Sequence, residues 1–230
     1  MADISEISLD SIEDALEAVA RGEMVVVLDD KARENEGDLI VAAEHATPEA
    51  LAFMVRHTTG IVCVAIEAAR ADALDLQPMV ERNDDRNGTA FTVTVDVRRG
   101  TTTGVSASDR ATTIAALIDP ATQPEDFMRP GHMFPLRARA GGVLERPGHT
   151  EAALDLARLA GCAPAGVLCE VVRDDGSMAR TPDLIRFARH HGLCIVSIAD
   201  LIVYRREGRD RRPSMRHARQ LAGAEAVATC

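Results

Sequence analysis

The chain has 230 residues, 46% of them hydrophobic, which is enough for one substantial core in a single domain. Its formal charge of -10 opposes binding to phosphodiester backbones or anionic lipid, although a local arginine can still hold a small phosphate. No stretch reaches the roughly 20 apolar residues of a spanning helix, MADISEISLD lacks signal-peptide order, and the five cysteines (63, 162, 169, 194 and 230) form an odd set without C-x-x-C. These features predict a cytoplasmic protein with thiols, no nucleic-acid partner and no membrane association.

In chain order, Ser11 and Asp14 form a capping pair ahead of an amphipathic run ending at Gly22, predicting a first helix. Met24 to Leu28 reads as a buried strand. Residues 29–38 are almost entirely polar and read as a loop before a strand from Leu39 to Ala43. Thr47-Pro48 opens a helix to about His57, and Ile61 to Ile66 is a continuous apolar strand. FTVTVDV, from Phe91 to Val97, alternates with period two, as a half-buried strand does. Ser106 and Asp109 cap a helix through about Ile118.

Strands near Met133 to Leu136 and Val167 to Val172 flank a helix from Thr150 to Ala160 that stops at Gly161. A Thr181-Pro182 helix, a strand from Cys194 to Ile198 and a short helix through Tyr204 close the series. Helices and strands interleave without strict βαβ rhythm, which predicts an α+β fold, a mixed sheet covered by helices in a layered sandwich. Residues 1–206 form the domain, and 207–230 (EGRDRRPSMRHARQ and an Ala-rich end) read as a basic, mobile tail.

Several patterns carry chemistry. RENEGD, from Arg33 to Asp38, sets Glu34, Glu36 and Asp38 beside one arginine, and carboxylates this close either share a cation or hold a proton at raised pKa. Oxygen ligands in a loop suit a hard ion such as Mg²⁺; a solvated acidic turn is the bland alternative. RPGHTEAALDLARLAG delivers His149 and Thr150 to a helix start, an anion site to which Arg146 adds a charged fork. His149 could complete a metal site with the acidic loop, or simply cap the helix.

RPGHMFPL places His132 after a Pro-Gly pair and immediately before a strand, where it could act as a general acid or base or be structural. Glu170 interrupts the apolar strand AGVLCEVV, so it faces either a polar site or solvent. GTTTGVSASDR offers Thr102, Thr103 or Ser106 as a second phosphate cradle, with plain N-capping the better reading of Ser106.

Taken together, DDKARENEGDLIVAAE, HTTGIVCVAI, GTAFTVTVD, TTTGVSASDRATTI, RPGHMFPLRARAGGVLERPGHTEAALDLARLAG and PAGVLCEVV resemble the 3,4-dihydroxy-2-butanone 4-phosphate synthase family from about Ile12 to Tyr204. The resemblance implies conversion of ribulose 5-phosphate to the four-carbon phosphoketone and formate in riboflavin biosynthesis. It implies that Glu34 and His149 ligate Mg²⁺ or Mn²⁺, and that Arg33, Glu34, Asp38, Thr103, Thr150, Glu170 and the loop Arg146, Pro147, Gly148 and His149 meet the substrate. It also implies essential roles for His132 and Glu170, a homodimer with the site near the interface, and an α+β layered sandwich; Glu170, Asp38 and His132 are expected to share the proton transfer.

Cys63 could lie beside the site without reacting. Pro147 stands where the family can have glycine, which stiffens the phosphate loop and leaves flexibility to Gly148. In some relatives a GTP cyclohydrolase II domain follows; this chain lacks that domain's cysteine cluster, and a single activity is expected. The rival readings are another metal-dependent phosphosugar isomerase or aldolase, and a nucleotide- or RNA-binding module, which would leave the acidic loop unexplained.

Overall fold

Runs of β-branched and aliphatic residues fold here into strands buried on both faces. A computed structural model of the chain describes residues 9–208. Its elements are α1 (Ile12–Ala20), β1 (Val25–Leu28), β2 (Gly37–Ala42), α2 (Pro48–Thr58), β3 (Cys63–Glu67), α3 (Ala68–Ala73), β4 (Val95–Val97), α4 (Ala107–Ile118), β5 (Phe127–Ala138), α5 (His149–Leu159), β6 (Ala165–Glu170), α6 (Thr181–His191), β7 (Cys194–Ser197) and α7 (Ile198–Arg206).

The seven strands form one sheet in the order β4-β5-β3-β6-β2-β1-β7. β3 with β5 and β1 with β7 run parallel, while the other neighbours are antiparallel, so the sheet is mixed as expected. Every residue of β1 and of β2 is buried, because each face of the sheet carries its own helical layer.

On one face Leu39, Val41, Val64, Val167 and Ile195 pack against Leu51 and Met54 of α2, Ile114 and Leu117 of α4, and Leu184 and Ala188 of α6. On the other, Val25, Val27, Ile40, Ala65 and Val196 pack against Ala15 and Val19 of α1, Ala153 and Leu156 of α5, and Leu201 of α7. The result is a three-layer α/β/α sandwich. Each fully buried Val or Leu contributes about 1.5–3 kcal/mol over its exposed state, so the two cores dominate the stability.

The helix starts follow the sequence closely. Ser11, Thr47 and Ser106 cap α1, α2 and α4 by accepting the N–H groups of Asp14, Ala50 and Asp109. α5 differs, since its N-cap is Gly148 and residues His149 to Ala157 are all buried. Its two core-facing carboxylates are paired: Glu151 with Arg146 at 2.6 Å and Asp155 with Arg205 at 2.6 Å.

Four elements differ from expectation. Asp38 lies in β2 rather than in the loop, opposite Val27 on one side and Glu170 on the other. FTVTVDV is not one strand; only Val95–Val97 forms β4, while Phe91 and Thr92 make isolated bridges to Leu136 and Pro78. β5 extends over twelve residues and contains His132, which therefore lies within a strand and not ahead of it. The register slips between Val95 and Asp96, whose partners are Met133 and Met128, so Arg129 to His132 bulge outward. The short α3 carries no cap signal in its sequence and was not expected. The tail expected from 207 onward lies, beyond Gly208, outside the described residues.

Candidate active site

The β1–β2 connection is held by one carboxylate. Asp29, whose side chain is fully buried, accepts the N–H groups of Glu34 at 3.0 Å and Glu36 at 2.8 Å and pairs with Arg33 at 3.1 Å. Asn35 takes a left-handed φ of 55°, and Arg180 donates to the carbonyls of Glu34 and Asn35. The loop is thus a fixed hairpin turn and not a solvated acidic turn.

Its Glu34 side chain points inward. Arg33 Nη1 donates to Glu34 Oε2, and Asn87 Nδ2 donates to Oε1 at 2.7 Å. His149, at the start of α5, hydrogen-bonds through Nε2 to the carbonyl of Val27 at 3.1 Å. A carbonyl only accepts, so Nε2 carries the proton and Nδ1 is the atom offered to the site. That Nδ1 lies 3.8 Å from Glu34 Oε2 and 3.7 Å from Asp38 Oδ1.

Asp38 is 3% exposed, and its Oδ1 is buried with no hydrogen-bond partner. Burial pushes its carboxyl up to about 7; His149 opposes the rise and the Glu170, Glu34 and Glu36 charges add to it. Burial pulls His149 down, yet the facing Asp38 and Glu34 carboxylates outweigh it and hold the imidazolium up to about 9. The same imidazole, with Arg33, holds Glu34 down at about 2 against its burial. Negative charge in excess of positive charge, an orphaned buried oxygen and an outward-facing imidazole nitrogen fit a small divalent cation, which would replace the proton on Nδ1.

Glu170 closes the cluster from β6. It is directly opposite Asp38, and its Oε2 accepts the N–H of Ile61 at 2.9 Å. Gly60 is required there, since a Cβ would come within 2.5 Å of the Glu170 carbonyl oxygen and 2.6 Å of Oε2. Cys63, two residues beyond Ile61, is buried, and burial first, then Glu170 and Asp38, raise its thiol pKa well above the usual value. It is a packing residue beside the site, not a nucleophile.

Arg146 lies at the edge of this cluster, and His132 stands elsewhere. The guanidinium of Arg146 is occupied within the fold, donating to Glu151 at 2.6 Å, the Asn87 carbonyl at 3.1 Å and Thr89 Oγ1 at 3.2 Å. It braces the 87–89 segment that delivers Asn87 to Glu34. His132 sits in β5, three strands from β2 and so roughly 14 Å away at the usual inter-strand spacing. There its main-chain N–H donates to Asp96 Oδ1 at 2.9 Å and its Nδ1 lies 2.6 Å from Oδ2, leaving the half-exposed ring with Nε2 outward.

Thr103 is exposed in the loop beside this pair, a loop fastened to Asp109 by the N–H and hydroxyl of Thr102 and the N–H of Gly104. One chain therefore presents two groups: Arg33, Glu34, Asp38, His149, Thr150 and Glu170 in the first, Thr103, Asp96 and His132 in the second. Pro147 is exposed on the loop before α5 and Gly148 is buried behind it.

Asp29, Asn87 and Asp96 were not singled out from sequence. Asp96 carried the same signal as Glu170, a charge inside an apolar strand, and Asp29 directly follows VVVL. Nothing local marks Asn87, which acts across 53 residues of chain.

The chain is similar to proteins of one family. The sequence profile of 3,4-dihydroxy-2-butanone 4-phosphate synthase matches residues 13–204. A riboflavin biosynthesis protein RibBA of Salinispora arenicola is 61% identical over 196 residues, covering 85% of this chain and 47% of that protein. The RibBA of Aquifex aeolicus is 55% identical over 207 residues, covering 89% and 51%. This chain thus spans about half the length of these curated relatives. A crystal structure of 3,4-dihydroxy-2-butanone 4-phosphate synthase with two magnesium ions superposes with a TM-score of 0.83 at 48% identity, over 87% of this chain and 99% of that one. The synthase of Candida albicans superposes with a TM-score of 0.80 at 51% identity, over 86% and 98%. Among the described residues no helix is long and apolar enough to cross a membrane.

Proposed function

The chain belongs to the 3,4-dihydroxy-2-butanone 4-phosphate synthase family, and from that premise we propose that it converts D-ribulose 5-phosphate into L-3,4-dihydroxy-2-butanone 4-phosphate and formate for riboflavin biosynthesis. The observation that carries the reading is the unpartnered Asp38 Oδ1 buried 3.7 Å from His149 Nδ1, with Glu34 alongside. Glu34 and His149 hold Mg²⁺ or Mn²⁺, and Asp38 bounds the same pocket. The bound ion polarises adjacent substrate oxygens.

The remaining chemistry falls to side chains. The sequence begins with removal of the C3 proton, passes through loss of the C1 hydroxyl and a skeletal shift, and ends with C4 leaving as formate. Asp38, buried at the pocket wall with Oδ1 unpartnered and facing His149, is placed to take a proton from the substrate and return it. Glu170 is held across from it by the Ile61 N–H, and Arg33 stands at the loop side of the cluster. Gly148 gives α5 no side-chain cap, so the first-turn N–H groups at His149 and Thr150 are suited to the substrate phosphate. Arg146 acts by bracing this corner.

His132 and Thr103 take part from a second copy of the chain. Asp96 fixes the ring of His132 with Nε2 outward, the orientation a proton donor or acceptor needs, yet its own cluster is three strands away. A homodimer that apposes the two groups completes each site. The thiols Cys63, Cys162, Cys169 and Cys194 fit a reducing cytoplasm.

The test is formate release from purified protein and ribulose 5-phosphate, with Mg²⁺ or with chelator, alongside Glu34→Ala and His149→Ala. Metal-dependent formate lost in both variants is expected. A phosphosugar isomerase or aldolase would consume substrate without formate, and that result overturns the reading.

A further inference from the structure

Three side chains of metal-ligating type converge where β2 ends and the chain turns after α5. Glu44 and His45 lie in the 3-10 turn Ala43–His45, and Cys162 follows the end of α5. One ligand atom from each lies within 4.8 Å of the other two. Glu44 Oε1 is 3.5 Å from His45 Nε2, while Glu44 Oε2 accepts the N–H of Ala163 at 2.8 Å, so the carboxylate is fixed to the residue beside Cys162. The His45 ring is backed closely by Gly22, which adopts a φ of +84° and where a Cβ would fall 3.1 Å from the ring. The His45 side chain is 27% exposed, but its Nε2 is buried and, with Glu44 Oε1 no nearer than 3.5 Å, makes no hydrogen bond. A buried imidazole nitrogen left in that state points to a missing Lewis acid or donor.

We propose that Glu44, His45 and Cys162 bind a borderline-soft divalent cation, Zn²⁺, with water in the fourth position. One oxygen, one nitrogen and one sulfur are a zinc donor set, in contrast to the harder carboxylate-rich cluster around Glu34 and Asp38. His45 supplies the lone pair of Nε2 with its proton on Nδ1. As the Sγ–Zn bond forms, the S–H bond of Cys162 breaks and its proton passes to solvent, with no change of oxidation state.

The two metal sites lie at opposite ends of the same elements. Asp38 and Glu44 are separated by the length of β2, about 20 Å, and His149 and Cys162 by the length of α5, about 16 Å. The zinc touches no substrate; it ties the end of β2 to the turn after α5.

The experiment is titration of the full chain, kept in saturating Mg²⁺, with Co²⁺ as an optical stand-in, followed by displacement with Zn²⁺. A thiolate-to-cobalt charge-transfer band saturating at one equivalent and bleached by Zn²⁺ is expected. Cys162→Ser should abolish the band, and His45→Ala should weaken Zn²⁺ at least about tenfold. Both variants should keep Mg²⁺-dependent formate release, which also shows that they fold. Glu34→Ala and Cys230→Ser should leave the band unchanged, separating this site from the active-site ion and from the C-terminal thiol. A wild-type protein with no band, or a band that survives Cys162→Ser, overturns the proposal.

Discussion

His149 Nδ1 faces Asp38 Oδ1 at 3.7 Å while His149 Nε2 is committed to the Val27 carbonyl, so the imidazole is oriented by the strand next to the one that carries the carboxylate. Replacing Asp38 by Asn keeps the shape and removes the charge. Formate release should fall by roughly 100-fold or more, the usual loss on removing a general acid–base group. The protein without added metal should unfold at an equal or higher temperature, because the cost of burying the Asp38 carboxylate, whose Oδ1 makes no hydrogen bond, outweighs its attraction to His149. Assay and thermal melt on the same preparation check both halves; a large drop in melting temperature would contradict the second.

Shared sites can be tested by mixing. His132→Ala and Glu34→Ala homodimers should each be inactive, yet co-refolded mixtures should recover about a quarter of wild-type activity, since half of the random two-fold dimers are hybrids with one intact site. No recovery would place His132 outside the partner's site.

Gly104 has a φ of +88°, and a Cβ there would fall on Asp96 Oδ2 and His132 Nδ1. Gly104→Ala should cost about 1–3 kcal/mol of stability through backbone strain. It should also depress formate release beyond what partial unfolding explains, by pushing His132 off Asp96. Comparing specific activity with the folded fraction separates the two effects.

Arg146→Ala distinguishes a brace from a phosphate ligand. Glu151 is 1% exposed and would be left as a buried charge, so the variant should lose about 3–5 kcal/mol. Urea unfolding measures it. A variant of normal stability with only a raised KM would restore Arg146 as a direct substrate contact.

The pH dependence of stability has a contribution from the α2–α6 contact. The His191 ring packs on Phe53, His57, Phe187 and His190, and burial first, then the charges of His57 and His190, lowers its pKa. A histidine with a depressed folded pKa binds its proton more readily when unfolded, so stability is retained above about 6.5, the unfolded value, and declines as pH falls below it. His191→Phe should flatten that decline in melts between pH 7 and 5; an unchanged slope would assign it elsewhere.

Much of this molecule was legible in its sequence because local chemistry agrees with the fold. Ser11, Thr47 and Ser106 cap helices where the spacing says they should, and RENEGD and RPGHT mark the two segments that bring Glu34, Asp38 and His149 together. What was not legible depends on pairing between distant segments. Asp38 reads as the last residue of a polar loop, and only the Val27 and Glu170 partners on either side draw it into a strand. Arg146 beside a helix start reads as a phosphate ligand, although Glu151, one turn into the same helix, claims it first. The alternation of FTVTVDV is genuine, but only its last three residues form β4, and the bulge at Arg129 to His132 in the partner shifts the register between Val95 and Asp96.

The burial of α5 from His149 to Ala157 on all sides has a kinetic counterpart. Backbone amides of that helix beyond its first turn should exchange with solvent only on near-global unfolding, while those of the 29–36 turn, held by the side chains of Asp29 and Arg180, should exchange through smaller openings. Glu34 and His149 then belong to cooperative units of different lifetime.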